Sequence, residues 1–200
     1  MTTLSREDIG SVVRNLVRDT KIIDLHTHLF PISHGKLSLY GIDAVLTYHY
    51  LIAETVMVMP TSFEVSAFYQ LPRSEQANIV WKTLFIDRLP ISEACRGVVT
   101  ILNLLGMSEL VARRDLKAIR EAYAALTPEQ LFQAVFDAAN IEYAVMTNIP
   151  FDPAEAACWN TDAPVPSQLH SALRIDAVLN ANWEVMRPAL EAEGFAVSEQ

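Results

Sequence analysis

Apolar positions recur at helical spacing from Ser5 to Asp19, where Ile9, Val12, Val13, Leu16 and Val17 share a face. Ser5 suits the cap of this helix, and Glu7 and Asp8 suit its first turn. The pattern then shortens. Lys21 to Leu25 reads as a short buried strand that leads into His26-Thr27-His28. Phe30 to Gly41, with Pro31, Gly35 and Gly41, reads as a loop. Helical patterns follow over Ile42–Met59, Pro72–Arg88, Pro90–Leu105, Met107–Ala125 and Thr127–Ala139. The last carries Thr127 as cap, Pro128 at its first position and Gln130 to complete a capping box. Alternation returns at Ile141–Thr147, a second strand broken by Asn148-Ile149-Pro150. A short helix runs to Trp159, a third strand lies within Leu169–Val178, and Asn180–Glu193 is helical with Pro188 as a kink or stop.

Strands alternating with helices predict an α/β fold with a parallel sheet. The side chains just past the strands, His26, His28, Asn148 and Arg174, then stand where barrel and open-sheet α/β proteins keep their sites. A strand alternates its side chains between faces, so His26 and His28 point the same way. Two imidazoles on one side make half of a metal site or one wall of a polar pocket. A hydrogen-bonded or surface pair is the bland alternative, and the apolar approach with Asp24 just ahead favours a site.

Composition narrows the field. The 200 residues are 51% hydrophobic, enough for one domain with a sizeable core. With 24 acidic and 15 basic side chains the net charge is -9, and no basic stripe is available for a nucleic-acid partner. Cys95 and Cys158 lie far apart and read as reduced cysteines of a cytoplasmic protein. The N-terminal residues mix charges and lack a signal-peptide core. The longest uncharged run, Gly97–Ser108, falls short of the ~18 residues a membrane span needs.

Ile22 to Phe30 resembles the first-strand metal motif of the amidohydrolase superfamily, and the wider pattern resembles one branch of it, the uronate isomerases. Asp24-Leu25-His26-Thr27-His28-Leu29 matches Asp-x-His-x-His-Leu, and His49-Tyr50 falls where that family carries a His-Tyr pair. Trp81 to Leu105 is similar to the family's helical insertion, which follows the first strand directly. Thr147-Asn148-Ile149-Pro150-Phe151-Asp152 resembles a second-strand Thr-Asp-Asp-Pro-x-Asp, and Arg174-Ile175-Asp176 a third-strand Arg-Pro-Asp. The resemblance runs from Ile22 to about Asn180. Departures are Leu51-Ile52-Ala53 after the His-Tyr pair, Ile175 for proline, and Asn148-Ile149 for the two aspartates.

The resemblance implies a metal-dependent-hydrolase-type (β/α)8 TIM barrel, of which residues 1–200 hold about three strands as an N-terminal part, with 30–140 as a mostly helical insertion. It implies an aldose–ketose isomerase acting on a hexuronate, glucuronate to fructuronate or galacturonate to tagaturonate. His26 and His28 would bind a divalent metal, zinc by preference; His49 and Tyr50 would serve in catalysis; Arg174 would hold the substrate carboxylate. The family's late-strand aspartate has no counterpart before Gln200, so the chain is expected to be part of a longer enzyme. A homo-oligomer stays open. Two other readings stand beside this one: a metal-dependent hydrolase or decarboxylase of the same superfamily, and a non-catalytic helical binding domain.

Several residues have plain structural roles as their first expectation. Arg174 can pair with Asp176 or Glu184, and Asn148 and Asp152 can build a turn and cap the next helix. His34 and His170 are expected to be solvated, and Trp81, Trp159 and Trp183 to serve packing.

Overall fold

Three short β-rich segments pair in parallel, in the order β1 (Ile22–Thr27), β2 (Ile141–Asn148) and β3 (Leu169–Leu173). The computed structural model describes residues 5–38, 40–159 and 164–198. Helix α1 (Ile9–Asp19) precedes β1. Between β1 and β2 lie α2 (Ile42–Leu46), α3 (His49–Val58), α4 (Val65–Gln70), α5 (Arg73–Trp81), α6 (Glu93–Leu104), α7 (Ser108–Ala112), α8 (Leu116–Ala124) and α9 (Pro128–Ala138). Helix α10 (Pro153–Trp159) joins β2 to β3, and α11 (Asp176–Leu179) and α12 (Trp183–Ala192) follow. The chain divides into two compact units, Met1–Ser38 with Phe136–Gln200, and Leu39–Val135. No helix among the described residues is long and apolar enough to cross a membrane.

In the sheet-bearing unit, Ile22 pairs with Ile141, Thr27 with Met146, and Asn148 with Leu173. Parallel strands bring all three carboxyl ends to one edge, and Arg174 N–H extends the pairing by donating to Asn148 O at 3.0 Å. Ala144, Met146 and Asn148 alternate along β2 as its buried face. Strand β1 starts one residue later than expected and runs two further, so His26 lies inside it and His28 just beyond. It is also not a buried strand. Ile22, Ile23 and Leu25 are exposed, and among the described residues β1 is an outer strand of the sheet. The predicted apolar stripe of α1 is likewise exposed, with no residue of that helix buried.

In the helical unit, one core gathers Leu46, Phe68, Val80, Trp81, Leu102 and Ile119 with their neighbours. The Asp43–Arg120 pair at 2.8 Å ties α2 to α8, and Trp81 Nε1 donates to Arg114 O at 3.2 Å. Two helices expected to be continuous are broken. Ile42–Met59 stops after Leu46, where Thr47 Oγ1 turns back to Asp43 O at 2.7 Å and Tyr48 takes extended φ/ψ. Met107–Ala125 stops after Ala112, turns at Arg114, whose φ is +55°, and restarts with Asp115 accepting from Ala118 N. The second insertion helix passes from α5 into a π-helical turn at Lys82–Ile86. The third begins at Glu93 rather than Pro90, because Ser92 accepts from Cys95 N and caps it.

The capping box of α9 forms as read, with Thr127 N–H on Gln130 Oε1 at 2.9 Å and Gln130 N–H on Thr127 Oγ1 at 3.2 Å. Helix α12 runs on through Pro188 instead of ending there.

Candidate functional site

His26 and His28 stand together at the carboxyl end of β1, ring centroids 5.0 Å apart and edge-to-face. The sequence builds this local shape from short polar side chains. Asp24 Oδ1 accepts His26 N–H at 3.0 Å, and the ladder to β2 slips between Asp24 and Thr27. Thr27 Oγ1 then accepts Leu29 N–H at 3.1 Å and turns the chain away. Asp24 therefore orders the histidine backbone. His26 Nδ1 lies 2.9 Å from Thr147 Oγ1 on the neighbouring strand. Both rings are accessible to solvent.

Asn148 and Arg174 share this edge of the sheet. Arg174 Nε meets Asp176 Oδ2 at 2.5 Å, and both side chains are about half exposed, at 51% and 58%. The guanidinium hydrogen bond holds the Asp176 carboxyl below its ordinary pKa. Arg174 and Asp176 also line a hollow of ≈ 250 Å³ with Ile149 and Phe151.

The turn after β2 differs from expectation. Asp152 caps α10 through Ala154 N at 2.8 Å, as read, but Asn148 does not simply form a turn. Its amide nitrogen donates to Glu155 Oε1 at 2.7 Å. Glu155 is only 3% exposed and also accepts Ile149 N–H at 3.0 Å and Trp159 Nε1–H at 3.3 Å. Trp159 thus serves hydrogen bonding as well as packing. His34 was expected in solvent, yet it is 2% exposed. Its ring stacks on Phe30 and meets the edge of Trp159, which explains its burial. Burial lowers the His34 pKa, and the Glu155 charge opposes that shift. His34 Nε2 and Asn148 Oδ1 are both buried without a partner. Sequence reading missed this cluster, because nothing in Pro153–Trp159 marks Glu155 as buried and its partners become visible only through packing. His170 is exposed as expected, and its ring also stacks on Tyr143.

His49 and Tyr50 lie in the helical unit, at the exposed first turn of α3. The break at Thr47–Tyr48 puts them there; an unbroken helix would have carried them mid-stretch. Tyr48, His49 and Tyr50 form a ring cluster, with both Tyr48–His49 and His49–Tyr50 centroids at 4.2 Å. Partial burial raises the Tyr48 pKa, with Tyr50 adding to it.

A parallel sheet with paired imidazoles at its carboxyl edge, and a helical unit inserted after the first strand, defines an α/β protein with polar side chains at the strand ends, the edge where such folds keep their sites. The structure is similar to that of a uronate isomerase from Bacillus halodurans C-125, with TM-score 0.89 and 40% identity, over 100% of this chain and 46% of that one. The resemblance to the uronate isomerases thus holds along the whole chain, which spans about half the length of that relative. No protein-family model and no curated protein sequence matches the chain. Among the described residues no group of three or more His, Cys, Asp or Glu side chains is gathered for a metal, so His26 and His28 stand as a pair.

Proposed function

We propose that this chain belongs to an enzyme that interconverts a hexuronate and its ketose, D-glucuronate with D-fructuronate or D-galacturonate with D-tagaturonate, by moving a proton between C2 and C1. The observation that carries the reading is the His26–His28 pair at the end of β1 in a chain 40% identical to a uronate isomerase. In this reading the three strands are the first of a (β/α)8 barrel, and residues 30–140 are its insertion. The charge of -9 and the absence of a basic stripe leave nucleic acid out of it, and the cytoplasm is the expected compartment.

Two adjacent imidazoles are donors of the right kind for a divalent metal, zinc first. They fit as two ligands of a catalytic site that takes three, so the third comes from outside the pair. Bound there, the metal would act as a Lewis acid toward the sugar acid's oxygens. Arg174 spends Nε on Asp176, which leaves both terminal nitrogens for a bidentate grip on the substrate carboxylate. His49 and Tyr50, at an exposed helix start, are suited to hydrogen-bond hydroxyls or relay the proton. The test is incubation of the metal-loaded protein with a panel of hexuronates. In the full-length enzyme, ketose from glucuronate or galacturonate is the expected product, and no conversion of any member overturns the proposal.

A further inference from the structure

We infer that Thr147 is a positioning residue for His26. Its hydroxyl oxygen accepts the Nδ1–H of the imidazole and so leaves the Nε2 lone pair for a metal, an inference that rests on the metal reading of the His26–His28 pair. The geometry is direct, with Oγ1 and Nδ1 2.9 Å apart across two adjacent strands. Both partners are held. Met146 and Asn148, on either side of Thr147, are 0% and 5% exposed, which fixes the strand that carries the hydroxyl. Threonine is β-branched and stiff at χ1, so its oxygen is aimed by the backbone. At the other end, His26 N–H is tied to Asp24 Oδ1 at 3.0 Å, which fixes the root of the imidazole.

A neutral imidazole has one protonated nitrogen and one lone pair, and the hydrogen bond at one nitrogen decides the role of the other. In water the free ring favours Nε2–H, the form that cannot ligate through Nε2. An acceptor at Nδ1 reverses that preference. Ligating histidines carry such a partner on their second nitrogen, and removing it costs about 10- to 100-fold in metal affinity. A threonine hydroxyl can also donate, and then Nδ1 would be the bare nitrogen and Nε2 would carry the proton. The two directions exclude each other and give opposite spectra.

The test uses protein labelled with 15N in its histidines, at about pH 8.5 where imidazole is neutral. The ring nitrogens of His26 are read by NMR in the wild type, Thr147→Val and Thr147→Ser, and zinc chloride is then titrated into each. The expected results are Nδ1–H in the wild type and in Thr147→Ser, and Nε2–H in Thr147→Val, with zinc affinity down about 10- to 100-fold in the valine variant alone. Valine is isosteric and suits a strand, and unchanged far-UV circular dichroism shows that the variant folds. An Nε2–H wild type, or a valine variant with the wild-type tautomer and affinity, overturns the inference and leaves the metal reading standing. A tautomer that flips in a protein that binds no zinc supports the positioning and defeats the metal reading instead.

Discussion

Replacing Glu155 by alanine should destabilise the sheet-bearing unit by about 3 kcal/mol, a large effect for a residue outside the histidine pair. The carboxylate is 3% exposed and accepts from Asn148 Nδ2, Ile149 N and Trp159 Nε1. Removing it orphans the Asn148 amide, whose oxygen already lacks a partner, at about 2 kcal/mol. Ile149 N–H sits in a partly buried turn that water can enter, so its loss is put at about 1 kcal/mol. The Trp159 bond is longer, at 3.3 Å, and contributes a few tenths. Lost packing of the side-chain stem adds about 1 kcal/mol. Against these stands the relief of desolvating one buried charge, which takes about 1 kcal/mol or more from the sum. Glu155→Gln keeps one acceptor but turns an NH2 toward donors, and should fall between alanine and wild type. Urea unfolding followed by far-UV circular dichroism and tryptophan fluorescence measures both variants. An alanine cost under about 1 kcal/mol would show that the buried carboxylate does not hold the turn after β2.

His34 gives a pH signature. Its pKa is lowered in the folded chain by burial, so the unfolded chain binds more protons just below 6.5. Stability should therefore fall as pH drops from 6.5 through the lowered value, and His34→Phe, which keeps a ring against Phe30 and Trp159, should flatten that slope; urea midpoints between about pH 6.5 and 5 give the answer. Arg174→Ala breaks an exposed pair with Asp176 and should leave the unfolding midpoint unchanged while returning the Asp176 pKa toward its ordinary value; under the proposed function it should also raise KM for a hexuronate in the full-length enzyme. Equal KM in wild type and variant would remove Arg174 from substrate binding.

The sequence carried the order of elements well where local chemistry decides it. The Thr127–Gln130 box and the Asp152 cap formed from residues whose partners lie within a few positions, and the second strand showed in its own alternation. It failed where the deciding partner is distant or weakly signalled. Nothing in Thr47-Tyr48 marks a helix break without glycine or proline, yet that break sets His49 and Tyr50 at an exposed first turn. His34 follows a proline-containing turn and reads as solvated, and only its rings' neighbours, Phe30 and Trp159, bury it. The His26–His28 pair was legible because the two residues are neighbours in the chain at the end of a segment that reads as a strand. The partner of His26 was not, since Thr147 lies 121 residues away in the chain.

Proton transfer between C2 and C1 of a hexuronate is read out with D-glucuronate deuterated at C2. The metal-loaded full-length enzyme should release the label from C2 to C1 or solvent as the ketose forms. Glucuronate recovered with its C2 deuterium intact, and D-galacturonate labelled in the same way also unchanged, would contradict it.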